Sequence, residues 1–331
     1  MELYLPVSTS LTDTAVRVAI ATLDSETATT VEKIEMLLEM AARLQYKPQD
    51  AHPLMQAIEL YDHALIVCGE VYPLLKARSL AGKATALRSL PEEGPDRLLE
   101  AKNCYEAALP TLTQQGSPEE KAEAQMNLGL VMQSLIPYHQ AQIADCIRLY
   151  QQALTVFTAQ AYPQEYAILQ NNIAIAYLSM ASSTGRDDLK QAIAVQTFEQ
   201  ALQSITLIDH PSEYAMLQNN LGNALQYLPS THPIENNLRA LAAYDEALKV
   251  RTAQDTPLTY AQTVANRANV LINLPDDLEH PEQGNQKHLQ QAEAHYQEAE
   301  QIFLTYGQFS QVNTVRQARE ALSQAVSEAV N

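Results

Sequence analysis

Tyr214-Ala215-Met216-Leu217-Gln218-Asn219-Asn220-Leu221-Gly222-Asn223-Ala224 is followed by a gap containing Pro229 and Pro233, and then by Ala240, Tyr244 and Ala247, ending at Leu248. Its second part spaces a small residue, an aromatic and a small residue at i, i+4 and i+7, which places all three on one helix face. The same triad recurs as Ala57/Tyr61/Ala64, Ala101/Tyr105/Ala108, Cys146/Tyr150/Ala153, Ala194/Phe198/Ala201 and Ala292/Tyr296/Ala299. An aromatic knob between two small residues is suited to close packing of one helix on another.

The first part of the stretch also returns. Lys121-Ala122 leads to Gln125-Met126-Asn127-Leu128-Gly129, Tyr166-Ala167 to Gln170-Asn171-Asn172-Ile173-Ala174, and Tyr260-Ala261 to Asn266-Arg267-Ala268. A weaker copy runs from Lys76-Ala77 to Gly82-Lys83-Ala84. Stepping from Ala77 through Ala122, Ala167 and Ala215 to Ala261 gives a period of roughly 45 residues, within the range of helical-hairpin solenoids.

On these residues the chain resembles the tetratricopeptide repeat family, in a form with a lengthened turn between helix A and helix B. In that family helix A carries a large apolar residue followed by Gly or Ala, and helix B carries small, aromatic and small residues at this spacing. Leu221-Gly222 with Ala240/Tyr244/Ala247 matches, as does Ile173-Ala174 with Ala194/Phe198/Ala201. Lys83 and Arg267 depart from the pattern, standing where the family has Leu. The resemblance implies an all-α, right-handed superhelix of about six helical hairpins in which each repeat buries its apolar face against its neighbours. Residues 1–26 stand apart as a candidate cap, 27–307 hold the hairpins, and 308–331 form a capping helix.

Helix starts are legible. Thr29 with Glu32, and Ser117-Pro118-Glu119-Glu120, have capping-box spacing; Pro163, Pro211 and Pro257 stand at first helical positions. Turns are expected at Pro91–Pro95, Pro137, Ser182-Ser183-Thr184-Gly185, Pro229 to Pro233 and Pro275–Gly284.

Composition narrows function. The 331 residues include 39 acidic and 21 basic ones, a net charge of −18, with no Lys/Arg cluster, so nucleic acid and anionic membranes are not expected partners. A neutral or basic protein segment is compatible. No apolar run is long enough to span a bilayer. Met1-Glu2-Leu3-Tyr4 shows no leader pattern. Three scattered cysteines, Cys68, Cys104 and Cys146, fit a reducing compartment, so a cytoplasmic protein is expected. The eight histidines have no metal-ligand spacing, His288 and His295 are read as a solvated face, and only nine glycines occur, with no phosphate loop. No cofactor, metal or enzymatic activity is expected.

Asn127, Asn172, Asn220 and Asn266 share one register in four copies. A mid-helix Asn is unfavourable by propensity, so its recurrence asks for a role. One role is to tie neighbouring turns together. The other, implied by the resemblance, is a ladder of amides on the concave face that bonds the backbone of an extended peptide. Asn171, Asn219, Asn223 and Asn269 widen this strip, and Ile168 and Met216 give it apolar ground. Capture of a carboxylate tail needs a cation four residues before each Asn. Those positions hold Glu123, Ile168, Met216 and Gln262, and only Arg78 of the weak copy is basic, so no such clamp is expected. The expected function is a non-catalytic scaffold or adaptor. A structural role through homo-oligomerisation or the convex face is the alternative.

Overall fold

Side-chain capping and proline set the ladder of helices in the computed structural model, which describes residues 16–18, 20–21, 28–46, 48, 50–91, 94–180, 187–229 and 232–330, with side chains to 324. The turn at Ser182-Ser183-Thr184-Gly185 and most of residues 1–26 lie outside them. The chain divides into two compact units, residues 1–157 and 158–331. The boundary falls at a repeat junction where composition does not change.

The N-terminal unit contains three hairpins: α1 (Thr30–Gln45) with α2 (Ala51–Cys68), α3 (Pro73–Ser89) with α4 (Asp96–Gln115), and α5 (Pro118–Leu135) with α6 (Ile143–Ala153). The C-terminal unit contains α7 (Pro163–Ser179) with α8 (Asp187–Leu202), α9 (Pro211–Gln226) with α10 (Pro233–Leu248), and α11 (Pro257–Leu271) with α12 (Gln286–Thr305). A last helix, α13 (Phe309–Val330), packs on α12. Both expected capping boxes form: Thr29 accepts from the Glu32 amide and Ser117 from the Glu120 amide, while each Glu reaches back to the cap. These contacts satisfy amides that a helix start leaves without partners. Pro233, expected within a turn, instead occupies the first position of α10, where its missing N–H costs nothing.

Periodicity identified the core face correctly. All eighteen residues of the six triads are 4% exposed or less, so each B helix turns that face inward. Gly129 and Gly222 explain the small residue on helix A: a Cβ there would lie 2.5 Å from the Tyr150 ring and 2.7 Å from the Tyr244 ring. Burying a side chain of this size contributes about 1.5–3 kcal/mol, so the repeated ring-on-glycine contact is a main source of hairpin stability.

Where the resemblance leads one to expect Leu, charge replaces apolar contact. Lys83 Nζ bridges Asp62 at 2.8 Å and Glu100 at 2.9 Å, and Arg267 Nε meets Asp245 at 2.8 Å. At the other end, Val312, Val315 and Leu322 of α13 are buried against the α11–α12 core. Glu300 fixes this docking, accepting from Arg316 Nη2 at 2.6 Å and Arg319 Nη1 at 2.7 Å.

Candidate functional site

In the C-terminal unit the recurring asparagines bond to one another across α7, α9 and α11. Gln262 Nε2 donates to Asn266 Oδ1 at 3.0 Å, Asn266 Nδ2 to Asn219 Oδ1 at 3.4 Å, and Asn219 Nδ2 to Asn220 Oδ1 at 3.1 Å. Asn220 Nδ2 then donates to Asn171 Oδ1 at 2.7 Å, and Asn171 Nδ2 to Asn172 Oδ1 at 3.3 Å. Six amides therefore form one track in which every step donates in the same direction. It ends at Asn172, whose buried Nδ2 has no partner among the described residues. Asn171, Asn172 and Asn219 are buried, and Asn220 and Asn266 are half-buried. A primary amide has two N–H groups and two acceptor lone pairs, and the track uses one of each at the inner members. The tying role is thus realised here, and the half-buried members keep capacity for a second partner.

The flanking residues have other duties. Asn223 Oδ1 accepts from the Tyr244 hydroxyl at 2.7 Å, and Asn269 Oδ1 accepts from the Tyr296 hydroxyl. Both fasten a buried ring of helix B, a role their sequence register did not reveal. Ile168 and Met216 are half-buried on α7 and α9, while Ile175 packs against the core.

The N-terminal unit treats the same register differently. Asn127 on α5 is 7% exposed, and among the described residues its amide has no hydrogen-bond partner. The reason lies in α3: Ala81 and Gly82 stand where α7 and α9 carry Asn-Asn, so no amide oxygen is presented to it. With no side chain at Gly82, the Tyr61 ring closes against the backbone and a cavity of about 290 Å³ opens between α1, α3 and α5. Asn127, Arg78, Glu120 and Glu123 line it, with Tyr61 and Tyr105.

Arg78 is committed within this cavity. Its Nε donates to Glu120 at 2.6 Å and its Nη2 at 3.4 Å, and this bond holds the Glu120 carboxyl below the usual range. Burial pushes the Tyr61 hydroxyl up to about 12, and the nearby Glu123 carboxylate pushes in the same direction. Tyr105 is raised to about 12, also chiefly by burial. Both rings are therefore neutral donors and acceptors at ordinary pH. Gln45 donates to Tyr61, and Thr85 pairs with Tyr105.

Other titratable groups are engaged elsewhere. His288 Nδ1 lies 3.0 Å from the Leu274 carbonyl, and His295 Nε2 lies 2.9 Å from Arg267. Both are half-buried, so the solvated face expected for them is corrected. Burial, then Arg267, lowers the His295 pKa. Cys68 and Cys146 are buried, and burial raises both thiols, Cys146 to about 11, which keeps them unreactive. Among the described residues, no group of three or more His, Cys, Asp or Glu could hold a metal ion, and no helix is long and apolar enough to cross a membrane.

No protein-family model matches the sequence, and no curated protein matches it. Solved structures do share its fold. The apo form of the quorum sensor NprR from B. thuringiensis aligns with a TM-score of 0.54 at 14% identity, covering 94% of this chain and 93% of that one. NprR in complex with its cognate peptide NprX gives 0.52 at 15% identity, covering 95% and 84%. BtubC (BKLC) from P. vanneervenii gives 0.51 at 16% identity, covering 83% and 92%. With its successive helical hairpins, the chain is an all-α solenoid of the tetratricopeptide repeat type.

Proposed function

We propose that the chain is a non-catalytic interaction module that holds an extended partner segment on the A-helix face of the C-terminal unit. Asn220 and Asn266, the half-buried members of the track, grip the segment's backbone. The amide track carries this reading: successive A helices present aligned amides whose orientation is already fixed, so little side-chain freedom is lost on binding. Each backbone bond contributes about 0.5–1.5 kcal/mol net, so affinity builds over several repeats. NprR, which shares the fold, has been solved with its cognate peptide NprX, and this supports a peptide as the ligand class. The net charge of −18 favours a neutral or basic segment.

The test is to pan a random peptide display library on the full chain and on a variant with Asn220 and Asn266 changed to Ala. Panning is done below both melting transitions and at matched helicity. Peptides enriched by the first protein and lost from the second support the reading. Equal retention by both overturns it.

A further inference from the structure

We propose that α13 is a working wall of the binding face: the notch between α11 and α13 receives one uncharged aliphatic side chain of the partner segment, and the Gln311 amide bonds the main chain beside it. This rests on the peptide reading above and deepens it within the same unit, adding the position at which the segment's sequence is read.

Asn266 and Asn269 of α11 line one side of this notch, and Gln311 and Thr314 of α13 line the other. Asn266 is also the track member on α11, so the notch opens where the segment's backbone is held. Two independent observations then describe the occupant. The first is hydrogen bonding. Gln311 is half-buried and its side-chain amide spends no bond on the described residues, while Asn269 uses its Oδ1 on Tyr296 and keeps its Nδ2 for another acceptor. A primary amide offers a donor and an acceptor at once, which matches the N–H and C=O of a peptide unit. The second is charge. Among the described residues lining the notch, Tyr296 is the single ionisable group, and burial pushes its hydroxyl up to about 12. The arginines of α13 turn toward α12, where Arg316 meets Glu300 and Arg319 meets Glu293 and Glu300. A charged side chain entering the notch would shed water without meeting a counter-charge.

Size and base agree with this occupant. The volume of about 230 Å³ lies below what small-molecule sites enclose, which suits one side chain rather than a cofactor. Phe303 and Val315, 2% and 5% exposed, give the notch an apolar base against which an aliphatic side chain leaves water.

The same library is panned on the full chain, on Thr314→Phe, which places a ring over the notch, and on Gln311→Ala. Thr314 is exposed and its hydroxyl bonds only within α13, and Gln311 has no side-chain bond to lose among the described residues, so both variants are expected to fold. Peptides enriched by the unchanged chain should share Leu, Ile, Val or Met at one position. Thr314→Phe should lose that preference and bind such a peptide about tenfold more weakly, which is ~1.4 kcal/mol. A version of the peptide with Ala at that position should bind both proteins alike. Gln311→Ala should weaken both versions about fivefold, because its amide bonds the main chain. Enrichment without an aliphatic position, an aliphatic preference unchanged in Thr314→Phe, or undiminished binding by Gln311→Ala overturns the notch and leaves the peptide reading standing. Failure to enrich any peptide overturns both.

Discussion

Truncating the same register position in the two units should move stability in opposite directions. Asn220 accepts from Asn219 at 3.1 Å and donates to Asn171 at 2.7 Å, and those partners are 5% and 4% exposed. Asn220→Ala removes both bonds and strands a buried N–H and a buried carbonyl oxygen. At about 0.5–1.5 kcal/mol per bond the loss is ~1–3 kcal/mol. Alanine returns about 0.5 kcal/mol in helix propensity, leaving a net loss of ~0.5–2.5 kcal/mol. Asn127 has no bond to lose among the described residues, so Asn127→Ala keeps the propensity gain, giving about 0.5 kcal/mol of added stability. Urea denaturation followed by far-ultraviolet circular dichroism reads the sign. Hydrogen exchange measured separately on α5 and α9 assigns it to a unit, since two units need not unfold together. If both variants lose stability equally, or if Asn220→Ala is neutral, the amide track is not what holds these helices together.

Further expectations follow from the packing and the charges. Gly129→Ala and Gly222→Ala should each destabilise despite removing a helical glycine, because the new methyl meets a tyrosine ring at 2.5 or 2.7 Å. Overpacking of ~1–3 kcal/mol outweighs a propensity gain of about 1 kcal/mol, and a raised melting temperature would refute it. Glu300→Gln should loosen α13 by about 2 kcal/mol, seen as faster amide exchange in that helix alone. Arg316 first, then Arg319, lowers the folded pKa of Glu300. Its contribution is therefore fully present above the ordinary glutamate range and is lost as pH falls through the depressed folded value. A loosening of α13 in acid that persists unchanged in Glu300→Gln would place the switch elsewhere. Tyr244→Phe should cost about 1 kcal/mol in thermal melts, since its hydroxyl donates to Asn223, and no change would leave that bond without weight.

The linear order of residues determined the helices and their faces. Thr29 with Glu32, Ser117 with Glu120, and the prolines at 163, 211 and 257 act on the amides of their own first turns, so local sequence suffices to place them. The triads were legible for a similar reason: i, i+4 and i+7 always share a face, and a face of small and aromatic residues has one stable destination. The neighbours of the asparagines were not legible in this way. Asn220 finds Asn171 across 49 positions, Asn266 finds Asn219 across 47, and Arg78 finds Glu120 across 42. The doubled asparagines at 171–172 and 219–220, set against Ala81-Gly82, were the signal that could have separated a tied amide from an open one. Tertiary structure alone decided that difference, because a side chain's own register fixes where it points, while the facing helix fixes what it meets there.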